Sequence, residues 1–184
     1  MFREQGRRLA RAAMVVALAA AANTFAAATA NDVDKQQLAA QMPLIAERTI
    51  AWANGREADA LKTGAALTHE QVAIARAVGV RHPERIRLVV VDEIPLPDEP
   101  LLRAAAQGVG LSQSWAAGLT LGHAVIVRRG FEKEVRLLSH EFRHVAQYEA
   151  MGGIGPFLVT HLKSLVEVGY ENSPFERDAR AHER

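Results

Sequence analysis

The pentapeptide His140-Glu141-Phe142-Arg143-His144 constrains this chain more than any other stretch. Histidines four apart share a surface on an α-helix, where positions i and i+4 lie one above the other. The flanking residues agree with a helix. Val135, Leu137, Leu138, Val145 and Tyr148 give Glu132 to Met151 an apolar stripe, and Gly152-Gly153 supplies a stop. On such a helix both imidazoles can reach one cation, and Glu141, beside the first of them, can reach a water held there. Zinc lowers the pKa of a bound water to about 7, so that a neighbouring carboxylate can take its proton and pass it to a leaving amine. The pattern therefore predicts His140 and His144 as metal ligands and Glu141 as the catalytic acid/base.

A catalytic zinc centre takes three protein ligands and keeps one position open. The chain has no cysteine, so the ligands must come from His, Asp or Glu, and no disulfide framework is available. Three N/O ligands with an open position make zinc the expected ion. Gln147 and Ala150 stand where an extended helical pattern would need Gly and a third His. The downstream candidates are His161, Glu167, Glu171, Glu176 and Asp178. Glu176 is favoured, because it sits near the start of a final helix with Asp178 two residues on as a partner for a ligand imidazole. Ser173-Pro174-Phe175-Glu176 also has the layout of a capping box, which needs no metal, and His161 stays open as the alternative ligand. His161 and Tyr170 carry donors suited to a developing oxyanion, although core or loop positions explain both. Plainer readings serve the rest: His69 near a helix start, His82 before Pro83, His123 opening a strand, His182 in the tail, Trp52 and Trp115 in the core.

The first thirty residues read as an export signal. Arg3, Arg7, Arg8 and Arg11 against Glu4 make a basic start, Ala12–Ala22 is apolar, and Ala28-Thr29-Ala30 is a small-residue cleavage site. Cleavage is expected near Ala30, leaving a periplasmic or secreted protein. The apolar run is short of the ~20 residues a span needs, so no stable membrane span is expected after cleavage. The whole chain has a net charge of +1, which leaves −2 outside that segment, and no basic stripe supports nucleic-acid binding. Hydrophobic residues at 49% and charged residues at 23% suit a folded domain.

Residues 31–66 read as an N-terminal helical segment with an apolar face of Leu38, Met42, Ile45, Ile50 and Trp52, stopped at Asn54-Gly55. Thr68 to Gln71 forms a capping box for a second helix that ends at Gly79. Ile86–Val91 reads as a strand, Pro95, Pro97 and Pro100 force a loop, and Gly118 to Val127 carries a second strand. A helix over Pro156–Val168 follows, then one opened by Ser173-Pro174. Helices with a small sheet, rather than alternating β-α units, predict an α+β, mainly helical fold.

Leu67 to Ala181 resembles a known family. Arg76-Ala77-Val78-Gly79-Val80, Gly118-Leu119-Thr120-Leu121-Gly122, Leu137 to Gln147 around the pentapeptide, and Pro174-Phe175-Glu176-Arg177-Asp178-Ala179 carry the likeness. They resemble the short zincin-like metallopeptidase domains of bacterial extracellular contractile injection system cargo and toxin proteins, and their exported stand-alone relatives. The resemblance implies a zincin-like domain over residues 67–184, with zinc held by His140, His144 and Glu176 and Glu141 as acid/base. It also implies that the strand near Val125 is an edge strand above the site, where an extended peptide could add. Relatives of this glutamate-zincin type often carry E-x-x-A-D in the last motif, whereas Arg180 follows Ala179 here. The expected function is a zinc-dependent endopeptidase acting on an extracytoplasmic protein or peptide. The alternative is a non-catalytic zincin-fold binding or assembly protein of the cell envelope. A self-processing cargo or toxin domain fits less well, because an export signal argues against delivery by an injection machine.

Overall fold

The computed structural model describes residues 31–103 and 116–184. The export segment over 1–30 and Trp115 lie outside them. Five longer helices and a four-stranded sheet follow one another along the described residues: α1 Asn31–Thr63, β1 Ala65–Ala66, α2 His69–Ala77, β2 Arg87–Val91, β3 Gly118–Leu121, β4 Ala124–Arg128, α3 Val135–Met151, α4 Ile154–Asn172 and α5 Pro174–Ala181. The fold is α+β and mainly helical, as expected. Among the described residues, no helix is long and apolar enough to cross a membrane.

Local signals explain much of this. Thr68 caps α2 through a complete capping box: its hydroxyl accepts from Gln71 N, and the Gln71 side chain accepts from Thr68 N. Gly79 follows with φ of 96°, a left-handed residue just past the helix end. Gly152 ends α3 in the same way, with φ of 87°. The helix expected over Pro156–Val168 runs from Ile154 to Asn172, with Gly169 leaving helical geometry near its end.

Three expectations are corrected. Asn54-Gly55 does not stop α1, which continues to Thr63. A glycine inside a helix costs only about 1 kcal/mol relative to alanine, and Ala53 and Ala60 on either side are buried. Gly118 to Val127 is not one strand but a hairpin, because Gly122 at φ of 60° reverses the chain within two residues. The strand containing Val125 is not at the edge: the sheet order is β1-β2-β4-β3, so β4 is interior and β3 is the edge. β4 pairs in parallel with β2 and antiparallel with β3.

The period of two along the strands then divides the core. Leu119, Leu121 and Ile126 pack with Ala53 of α1 and with Phe157 and Leu158 of α4. Val125 and Val127 pack with Ala75 of α2 and its C-cap Val78, and with Leu137, Leu138 and Phe142 of α3. The same alternation turns Gly118 and Thr120 of the edge strand toward α3, and that placement builds the site.

Candidate metal centre

Helix α3 is buried around almost its whole circumference from Leu137 to Tyr148, polar residues included. His140 and His144 sit one turn apart, with their Nε2 atoms 3.2 Å from each other. Glu176, in the first turn of α5, presents Oε2 at 3.6 Å from His140 Nε2 and Oε1 at 3.5 Å from His144 Nε2. One donor atom from each residue falls within 4.8 Å of the others. This is a buried His-His-Glu group close enough to bind one metal ion.

The two helices that supply it are locked together beside the site. Arg143, which follows Glu141 and Phe142, grips Asp178 of α5 through Nε at 2.6 Å and Nη2 at 3.1 Å, and also donates to the Val78 carbonyl. Gln147 fixes His144: its amide oxygen lies 2.8 Å from Nδ1, so Nδ1 donates and Nε2 keeps its lone pair toward Glu176. The Gln147 nitrogen in turn donates to Asp178 Oδ2 at 2.7 Å and to the Phe175 carbonyl. Asp178 therefore acts on a ligand imidazole through Gln147 rather than directly. For His140 the orienting carboxylate is Glu183, 3.0 Å from Nδ1 and itself bound by Arg136.

Glu141 reaches across to the edge strand. The Thr120 hydroxyl donates to its Oε2 at 2.6 Å, and Tyr148 Oη donates to the Thr120 carbonyl at 3.2 Å. Gly118 makes room for it: a Cβ there would lie 2.3 Å from Glu141 Oε1. The other oxygen, Oε1, has no hydrogen-bond partner.

Burial dominates the electrostatics. It raises the Glu141 carboxyl to about 8, against the charge of His140 and the Thr120 hydrogen bond. It lowers His144 to about 4 and His161 to about 3. Burial would also lower His140, but the Glu176 and Glu183 carboxylates outweigh it and hold that imidazolium up to about 9. Burial works against ionised Glu176 as well, yet the surrounding imidazoles keep it below the usual carboxylate range. At neutral pH one proton thus sits in the His140–Glu176 pair, while His144 and His161 are neutral.

The donor set fits a borderline-soft divalent ion: two imidazoles and a carboxylate with no thiolate. The unpaired atoms fit as well. Glu141 Oε1, both oxygens of Glu176 and His161 Nε2 are all buried without a hydrogen-bond partner. A buried polar atom left unpaired costs about 1–3 kcal/mol; His161 Nε2 and Glu176 Oε1 face each other at 3.7 Å, and Glu141 is near enough to Glu176 to feel its charge. No protein-family model, curated protein or solved structure matches this chain.

The remaining candidates separate cleanly. His161 is fully buried with Nε2 at 3.7 Å from Glu176 Oε1, beside the triad rather than within it. Glu167 and Glu171 are exposed and pair with Lys163 and Arg180. Ser173 makes no side-chain cap on α5, so the capping-box layout is not realised and Glu176 faces the histidines. Tyr170 borders Glu176, and burial together with that carboxylate holds its hydroxyl well above the ordinary value, so it stays a donor. The sequence alone assigns no role to Thr120, Gln147 or Glu183, which the structure places against Glu141, His144 and His140. Gln147 alone had a local signal, lying three residues after His144 on the same helix face.

Proposed function

We propose that this protein is a zinc-dependent peptidase, with His140, His144 and Glu176 holding the ion and Glu141 moving the proton. One observation carries the reading: a buried His-His-Glu group with an unpartnered carboxylate oxygen, Glu141 Oε1, beside it. Zinc would supply Lewis acidity, polarising a peptide carbonyl and making water a usable nucleophile near neutral pH. The rest belongs to the chain's own residues. Thr120 occupies Oε2 of Glu141 and leaves Oε1 to accept the proton of the attacking water. As the C–O bond forms and the C–N bond breaks, Oε1 gives that proton to the departing nitrogen. Without a cation the carboxyl stays protonated up to about 8; a nearby positive charge favours the carboxylate the step needs. The substrate class is a protein or peptide outside the cytoplasm, following from the export segment read at residues 1–30. The resemblance to zincin-like domains of injection-system cargo proteins belongs to the same reading.

A second reading has its own support. His144, Glu141 and Glu176 have no exposed surface and His140 only 3%, which suits an enclosed ion that stabilises a non-catalytic binding protein of the envelope. One experiment separates the two. Zinc content and hydrolysis of a panel of unfolded proteins are measured for the mature protein and for Glu141→Gln and His140→Ala. Zinc in wild type and Glu141→Gln, with hydrolysis only in wild type, supports the peptidase. Zinc binding with no hydrolysis by the loaded wild type overturns it and leaves the second reading.

A further inference from the structure

Edge strand β3 pairs with β4 alone, so one side of its backbone has no ladder partner. The Ala117 carbonyl accepts from Arg128 N at 2.9 Å. In an antiparallel pair, residues that bond the neighbouring strand alternate with residues that do not. In this register Leu119 and Leu121 therefore turn their backbone groups to β4, and Gly118 and Thr120 turn theirs to the unpaired side. Thr120 has no exposed surface, so its carbonyl cannot turn to water and needs a donor from elsewhere. Tyr148 supplies it, with Oη 3.2 Å from that oxygen. The phenol is itself held in place: Tyr148 is 1% exposed, and its ring lies 4.1 Å from that of Phe157.

Tyr148 and Glu141 are seven residues apart, two turns along one face of α3. Thr120 is bonded to both. Tyr148 fixes its carbonyl, and its hydroxyl donates to Glu141 Oε2 at 2.6 Å. The hydroxyl has one proton, and the Glu141 main-chain oxygen, at 3.1 Å, is the farther and uncharged acceptor. When the carboxylate is ionised, as proton transfer requires, that proton goes to Oε2. Oε1 is confined as well, because a Cβ on Gly118, which shares a strand face with Thr120, would lie 2.3 Å from it. We propose that Thr120 and Tyr148 are a pair of positioning residues that fix which oxygen of Glu141 takes the proton: Thr120 holds Oε2, and Tyr148 acts through Thr120. This rests on the assignment of Glu141 as proton carrier, and adds that the edge strand, and not α3 alone, aims the base.

Hydrolysis, zinc affinity and thermal unfolding are measured for wild type, Thr120→Val, Thr120→Ser, Tyr148→Phe and the double variant Thr120→Val with Tyr148→Phe. The Glu141 carboxyl is followed by 13C NMR, its resonance assigned by its loss in Glu141→Gln. Thr120→Val, which keeps the shape and removes the donor, is expected to lower kcat by about 10–100-fold with KM and zinc affinity unchanged. Thr120→Ser is expected to restore most of the loss. Tyr148→Phe is expected to lower kcat by a smaller factor, and to add nothing once Thr120 is replaced by Val. Both single variants are expected to move the Glu141 resonance. If Thr120→Val does not fold, the kcat and resonance of Tyr148→Phe are the test. Wild-type kcat in the folded variants overturns the proposal, as does an unmoved Glu141 resonance, and additive losses in the double variant overturn the pairing. Wild type that binds zinc and hydrolyses nothing overturns the peptidase instead, and the resonance then decides by itself whether Thr120 and Tyr148 position Glu141.

Discussion

Two clusters in this molecule are built from the same residue types, one buried and one half-buried. One is His140, His144, His161, Glu176 and Glu141. The other joins three elements around His123, whose Nε2 lies 3.1 Å from Glu149 Oε1 and whose backbone N–H donates to Glu57. Glu149 also accepts from the backbone N–H groups of Arg81 and His82. Among the described residues, no side-chain atom of the second cluster is left buried without a hydrogen-bond partner, whereas four of the first are. Histidines packed against glutamates therefore do not by themselves mark a site. The difference lies in what is unfinished: the His123 contacts form a completed junction, whereas the buried cluster keeps side-chain atoms without a hydrogen-bond partner.

That contrast can be broken by experiment. The largest effect is expected from His140→Ala or Glu176→Ala, which should abolish measurable zinc binding in a competition titration, while His123→Ala leaves it unchanged. Zinc lost equally from His123→Ala would erase the distinction. Glu141→Gln should keep zinc and reduce hydrolysis by about 10²–10⁴-fold, read as initial rates on the same substrate. Glu183→Gln should weaken zinc by about 10–100-fold without removing it, because it loosens one ligand and deletes none. The smallest effect belongs to the completed junction. Burial would raise the Glu149 carboxyl, but the backbone N–H groups of Arg81 and His82 and the His123 ring hold it below its ordinary 4.5. A depressed carboxyl contributes stability that is complete above 4.5 and is lost as pH falls below it. Thermal unfolding followed from pH 6 to pH 3 should therefore fall less steeply for Glu149→Gln than for wild type, with no change in zinc affinity.

How far the site could be read in advance follows the distance over which each contact acts. The two histidines and Glu141 are legible because their geometry is set within one turn of one helix. Glu176 is legible only as one of several acids, since its layout also describes a cap; burial against the histidines decides between them. Thr120 could not be read, because it meets Glu141 through the register of an edge strand, and the apolar run from Gly118 to Val127 hides the reversal at Gly122 that sets this register. Glu183 lies beyond the Pro174–Ala179 stretch that marked α5, and no local spacing ties it to His140, 43 residues earlier. Asn54-Gly55 misled for the opposite reason: a local stop signal was overridden by packing of α1 on the sheet.

The division of the ligands between α3 and α5 has a consequence for how the protein comes into being. A chain made from its N-terminus holds both histidines and Glu141 well before Glu176 exists, and α4 must turn back before α5 can dock. A nascent chain that ends between Val145 and Phe175 thus carries the pentapeptide but only two of the three residues of the His-His-Glu group. The third residue of the group arrives with α5, clasped by Arg143 on Asp178, so a protein lacking those few C-terminal turns would keep the motif and lose the His-His-Glu group.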